Sequence, residues 1–184
     1  LNPGYYDALE RSVKAADEQG ITVGVCLFEG SIVPYFDTGG DSWRLHPFNG
    51  MKDGPKEPWQ VHSRGPWNKY QRDHVKEVTS RLEKYDNVIY EVGNELHRES
   101  TKWFQGKVIE WVKRFTDKPV GASYAQGMKP SKNRTQDWLT NIDADWIAPS
   151  GPTKLPGFKG PQILDTDHAW PLWSNVSGLQ NAWD

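Results

Sequence analysis

An α/β fold built on a parallel sheet is what this sequence predicts, and three observations predict it. Segments of helical periodicity alternate with short β-rich runs along the 184 residues, the pattern of strands joined by crossover helices. Acidic and aromatic residues gather just after those runs, at Phe28-Glu29, Asn94-Glu95, Tyr124, Ser150 and Asp165 to His168. No Gly-rich phosphate loop of the GxGxxG or GxxxxGKT kind follows the first run, which disfavours a nucleotide-binding doubly wound sheet. Chemistry-bearing residues at the carboxyl ends of parallel strands point instead to a (β/α)8 TIM barrel, where that face is the catalytic one.

Each element has its own signal. Asn2-Pro3 opens a helix, with Asn2 as N-cap and Pro3 at the first helical position. Tyr6, Leu9, Val13 and Ala16 then recur at helical spacing, and Gly20 supplies the stop. Ile21 to Phe28 reads as a short buried strand. From Glu29 to about Trp67 the periodicity vanishes into a long loop dense in Gly, Pro, Asp and Trp. A loop of that length inside a compact domain is usually functional. Tyr70, His74, Val78, Leu82 and Tyr85 form the stripe of a second helix, and Asn87 to Val92 is a strand. Thr101 to Phe115 is a third helix, carried by Phe104, Val108, Trp111 or Val112, and Phe115. Lys118 to Tyr124 reads as a strand, Gln136 to Ile142 as a short helix, Asp145 to Pro149 as a strand. A fifth strand, Pro161 to Asp165, runs into Asp165-Thr-Asp167-His168.

Composition narrows the function classes. A net charge of -2 offers no basic surface for nucleic acid or an anionic membrane. No apolar run approaches the ~20 residues that span a bilayer. The N-terminal residues lack a signal-peptide pattern, which leaves the compartment open. The single cysteine, Cys26, excludes an internal disulfide framework and a multi-Cys metal site; within its apolar run it reads as a small buried hydrophobe. The aromatic load is heavy: ten Trp, seven Tyr and six Phe. Trp43, Trp59, Trp67, Trp170 and Trp173 lie among Gly, Pro and polar residues, where a flat apolar face with a polar edge suits the C–H face of a sugar ring.

The segment Asn87-Val-Ile-Tyr-Glu-Val-Gly-Asn94-Glu95-Leu-His97 resembles the fourth-strand motif of clan A glycoside hydrolases, the cellulase-like and mannanase-like barrels. Glu83-Lys-Tyr-Asp-Asn87 resembles the lead-in to that strand. The resemblance implies an enzyme that hydrolyses O-glycosidic bonds in a poly- or oligosaccharide, needs no cofactor or metal, and in the family retains configuration. It implies that Glu95 is the general acid/base and that Asn94 binds the sugar's 2-hydroxyl. A secreted or periplasmic location fits that function slightly better than others. The chemistry asks for such residues. A proton must reach the leaving oxygen while a second carboxylate stabilises or captures the oxocarbenium-like centre. A carboxyl at a rigid strand end, partly desolvated among aromatics, has its pKa raised toward the working pH.

Here the chain departs from the family pattern. Clan A barrels supply a Glu nucleophile at the end of strand seven, and this sequence has no Glu after Glu110. The matching strand leads into Asp165 and Asp167, which share strand parity and are the candidates for the second carboxylate. Aspartate is one methylene shorter, so the carboxyl separation decides the outcome. About 5–5.5 Å implies a covalent intermediate, and roughly 6.5–9.5 Å an attacking water. Further substrate-binding candidates are Glu29, Trp43 and His46 around the long loop, His97 and Tyr124 after their strands, His168, and Trp170 as a stacking platform. Glu91, four residues before Glu95, reads as a charge behind the site or as a structural group. Two other functions fit the same residues: a non-catalytic carbohydrate-binding barrel, and a metal-dependent hydrolase centred on Asp165, Asp167 and His168. A (β/α)8 barrel takes about 250 residues. If Glu95 ends strand four and Asp165 strand seven, the chain is a fragment spanning about strands three to seven. Its partners are then a carbohydrate and the missing strands, from the rest of the gene product or another chain.

Overall fold

Helix α1 (Pro3–Asp17) begins where the Asn2 side chain accepts from the Gly4 amide at 3.0 Å, satisfying one of the donors every helix start leaves open. The turn that follows it closes at Gly20, whose φ of +66° is the left-handed conformation that glycine adopts without steric cost. In this computed structural model the described residues are 2–30, 41–44, 46–94, 96, 101–124, 137–149 and 155–163. They give β1 (Val23–Glu29), the short α2 (Asp41–Arg44), α3 (Asn68–Leu82), β2 (Val88–Asn94), α4 (Thr101–Phe115), β3 (Val120–Tyr124) and β4 (Trp146–Pro149). Two 3-10 turns, Pro58–Gln60 and Asp137–Asn141, complete the set.

The four strands are all parallel and lie in chain order, β1-β2-β3-β4. Monotonic order with right-handed crossovers sends successive connecting helices to one face of the sheet. Accordingly α3 and α4 pack on each other, and α4 on β2 and β3. On that face Val25, Leu27, Val88, Tyr90, Val92, Val120, Ala122 and Ile147 meet Val75, Val78 and Leu82 of α3 and Phe104, Val108, Ile109 and Val112 of α4. Each fully buried side chain of this kind contributes about 1.5–3 kcal/mol relative to exposure.

The opposite face is covered unevenly. Register pairs Gly24 with Ile89 and Cys26 with Glu91; Gly24 and Cys26 are exposed, and Ile89 and Glu91 half-buried. Cys26 is therefore not the buried hydrophobe its apolar run suggests, because among the described residues helices cover only the other side of β1. Its sulfur is nevertheless crowded, and that local burial pushes the thiol up to about 12, so the residue is a thiol and not a nucleophilic thiolate. At β3 and β4 the Trp146 indole lies over Gly121, where a Cβ would collide with it.

Other expectations shift by a residue or a turn. Tyr70 is exposed while its neighbour Gln71 is buried. Gln71 Nε2 donates to the Val61 carbonyl at 3.0 Å, and Trp67 Nε1 donates to the same oxygen at 3.1 Å. The polar side chain thus turns inward to satisfy a buried carbonyl, and the end of the long loop becomes part of the core. Trp67 is buried with it and is not a sugar platform. Tyr85 is buried beyond the end of α3. The fifth strand is present as a parallel bridge between Ile147 and Gln162, with Ile147 donating to the Pro161 carbonyl at 3.1 Å and Ile163 to the Ile147 carbonyl at 2.9 Å. This places 161–163 beside β4 and continues the sequential order. Among the described residues no helix is long and apolar enough to cross a membrane.

Candidate functional site

Parallel strands bring their carboxyl ends to one edge. The last register pair of β1 and β2 is Glu29 with Asn94, and the last of β3 and β4 is Tyr124 with Pro149. Glu29 and Asn94, far apart in sequence, are joined at this edge: Asn94 Nδ2 donates to both carboxyl oxygens of Glu29 at 3.3 Å. Asn94 is exposed.

Aromatic rings form the floor beneath the end of β1. The Phe28 ring sits edge-on to both His74 of α3 (centroids 5.5 Å) and Phe104 of α4 (5.2 Å). His62, from the long loop, packs 4.8 Å from Phe104. His74 ties three elements together: its Nε2 lies 3.2 Å from the Leu27 carbonyl and its Nδ1 2.8 Å from the Tyr6 hydroxyl. A carbonyl only accepts, so Nε2 carries the proton and Nδ1 accepts from Tyr6. Burial, opposed by the Leu27 hydrogen bond, lowers the His74 pKa, in keeping with that neutral tautomer.

The long loop adds two more neutral imidazoles. Trp43 stacks on His46 at 5.3 Å and 29°, and His46 Nδ1 accepts from the Phe48 amide at 3.1 Å. Burial lowers its pKa. His62 is 5% exposed, and its pKa is depressed to about 4 by burial first, then by His46, against an opposing pull from Glu29. His62 therefore lies within electrostatic reach of both His46 and Glu29. Sequence reading left His62 out of the site, because nothing local distinguishes it from any loop histidine.

Tyr124 is buried in the core, edge-on to Trp138 at 6.2 Å. Glu95 follows Asn94 directly in the chain, but Glu95, His97, Asp165, Asp167, His168 and Trp170 lie outside the described residues, as does the side chain of Trp59. The structure thus brings together Glu29 and Asn94 at the edge, with Trp43 and His46 in the adjoining loop. Glu91, Ser123 and Gln105 form a polar group just below. Glu91 is half-buried, and burial first, then the charge of Glu29, raise its pKa against a hydrogen bond from Ser123.

Chemically the edge offers the exposed Asn94 amide and the Glu29 carboxyl, with the half-buried Trp43 and His46 rings in the adjoining loop, groups able to hydrogen-bond and to stack on a flat ligand face. Among the described residues no group of three or more His, Cys, Asp or Glu could hold a metal ion. A separate groove of about 490 Å³ along α4, lined by Ile109, Lys113, Arg114 and Asp143 among others, shares no residue with this edge. Compared with known protein families, with curated proteins and with solved structures, the chain matches none.

Proposed function

We propose that this chain belongs to the catalytic (β/α)8 barrel of a clan A-like glycoside hydrolase. In this reading Glu95 is the general acid/base, Asn94 positions the sugar, and Asp165 or Asp167 is the second carboxylate. The observation that carries the reading is the position of Asn94: it closes a central parallel strand, is exposed at its carboxyl end, and is hydrogen-bonded to Glu29 of the neighbouring strand, with Glu95 next in the chain. That is where barrels of this kind keep their acid/base.

The barrel itself is supported by two features. The strands follow in sequential parallel order, from β1 to the bridge at Gln162. The sheet face opposite the helices carries exposed Gly24 and Cys26, and closing a barrel converts such a face into a filled interior. In this reading, strands beyond those described supply that closure.

The test is Glu95→Gln in the protein, assayed by reducing-sugar release from a panel of β-linked and α-linked polysaccharides. Loss of a general acid costs roughly 10²–10⁴-fold in rate, while oligosaccharide binding by calorimetry persists. An unchanged rate ends the acid/base assignment. Asp165→Asn and Asp167→Asn identify the second carboxylate, and the anomer released first, read by NMR, reports retention or inversion. Wild-type protein that binds sugars without cleaving them would instead be a carbohydrate-binding barrel, and activity abolished by a chelator would favour the metal-dependent reading.

A further inference from the structure

The end of the long loop is pinned to the start of α3 almost residue by residue. The Val61 carbonyl accepts from both Gln71 Nε2 and Trp67 Nε1, at 3.0 and 3.1 Å. The Ser63 carbonyl accepts from Asn68 Nδ2 at 3.1 Å, and the Gly65 amide donates to Asn68 Oδ1 at 2.8 Å. The Ser63 amide donates back to the Gln60 carbonyl at 2.8 Å, and Gln60 Oε1 accepts from the amides of Lys56 and Glu57. His62 stands in the middle of this segment, with its chain neighbours tied down on both sides.

Its side chain is the exception. Gln60, Asn68 and Gln71 each bond a backbone group nearby, whereas among the described residues neither nitrogen of the His62 ring has a hydrogen-bond partner. The ring is 5% exposed and lies against Phe104, 4.8 Å away and tilted by 42°. Phe104 in turn meets Phe28 at 5.2 Å, and Phe28 leads directly into Glu29, the acceptor for Asn94 at the strand edge. The imidazole is thus placed beside the carboxyl end of β1. Buried polar groups are nearly always hydrogen-bonded, and one that is not calls for a reason. Packing does not supply it, since a phenyl ring fills such a place without desolvating two nitrogens. A ligand at the edge does.

We infer that His62 is a ligand-binding residue of this site: fixed by its loop and without a partner among the described residues, its imidazole hydrogen-bonds a hydroxyl of a saccharide bound at the edge formed by Glu29 and Asn94. The class of ligand rests on the proposed glycosidase reading. Burial keeps the ring neutral at ordinary pH, so it presents one N–H donor and one bare nitrogen. A sugar hydroxyl, which both donates and accepts, can meet either. Because the segment around His62 is already held, little ordering is left to be done on binding.

The experiment adds gluco-, manno-, xylo- and galacto-oligosaccharides of both anomeric linkages to the nitrogen-15-labelled protein. It follows the assigned histidine ring nitrogens and the Asn94 side-chain amide by NMR. An oligosaccharide that moves the Asn94 amide should also move a His62 ring nitrogen, because that nitrogen gains a hydrogen bond. His62→Phe keeps a ring against Phe104 but leaves the sugar hydroxyl unpaired, so calorimetry should show binding weakened roughly tenfold to a hundredfold. Urea unfolding checks that the variant is folded, and the wild-type spectra decide the matter where it is not. His62 nitrogens that stay put while Asn94 moves, or equal affinity in the folded variant, overturn the inference and leave the glycosidase reading standing. A His62 response with weakened binding in the variant, but no hydrolysis by the wild type, sustains the inference and ends the catalytic reading. Failure of every oligosaccharide to bind overturns both.

Discussion

Acid should weaken this fold through one buried histidine, and His62→Phe should remove most of that sensitivity. His62 is 5% exposed and packs against Phe104. Its pKa falls from 6.5 to about 4, with burial the largest cause. The unfolded chain takes up a proton near pH 6.5, the folded protein only near pH 4, so between those values the unfolded state binds more protons and stability falls as pH falls. The separation is about 2.5 pH units, which at 1.36 kcal/mol per unit amounts to about 3 kcal/mol lost by pH 4. Set against a total stability of about 5–15 kcal/mol, that is a large share. Phenylalanine keeps a ring against Phe104 and has nothing to protonate. Urea unfolding of both proteins, from about pH 7.5 to about pH 4, gives the stability difference at each pH. His46 and His74 are common to both proteins, so their titrations largely cancel in that difference. The gap between variant and wild type should grow in favour of the variant by about 3 kcal/mol across the range. A gap that stays flat refutes the argument, because it would mean that the burial of His62 costs its charged form nothing.

The remaining predictions concern the buried supports of the strand ends. Gln105→Leu strands the Ser123 carbonyl and amide and should cost about 1–3 kcal/mol for each unsatisfied group, measured by urea midpoint at constant m-value. Gly121→Ala drives a Cβ into the Trp146 indole and should cost about 1–3 kcal/mol through overpacking, accompanied by a change in tryptophan fluorescence. A neutral outcome for Gly121→Ala would show that Trp146 has room to move off β3.

Much of the scaffold was legible because its signals are local. Asn2-Pro3 and Gly20 bracket α1 by chemistry that acts within a turn, and Thr101 to Phe115 marks α4 by an uninterrupted periodicity. What the sequence could not carry depends on which face is covered and which register is adopted. Cys26 was placed wrongly because an apolar run implies burial without saying on how many sides. Tyr70 and Gln71 exchange places because the Val61 carbonyl needs a donor, and that need arises only when the loop folds back. At the site, each of Glu29 and Asn94 was legible as the end of a strand. Their hydrogen bond was not, since it follows from the pairing of β1 with β2. His62 had no signal at all, because its burial is made by Phe104 and the fold of its own loop.

The end of β2 is therefore held differently on its two sides. Toward β1 the backbone ladder runs to the last residue, and a ladder bond between amide and carbonyl is indifferent to pH. Toward β3 the ladder stops at Glu91, and the hold passes to the Ser123 hydroxyl, which donates to the Gly93 carbonyl. Two carboxyl groups flank the strand end: Glu29 accepts from Asn94 through both oxygens, and Glu91 lies half-buried beneath, its pKa raised by burial and by Glu29 against a hydrogen bond from Ser123. Their roles are coupled, because negative charge on Glu29 favours the protonated form of Glu91. Replacing Glu29 by Gln should then remove the carboxylate acceptor for Asn94 and part of the field that raises the Glu91 pKa. The Asn94 side-chain amide resonances should move in Glu29→Gln at neutral pH, and unmoved resonances would refute the hydrogen bond between the two residues.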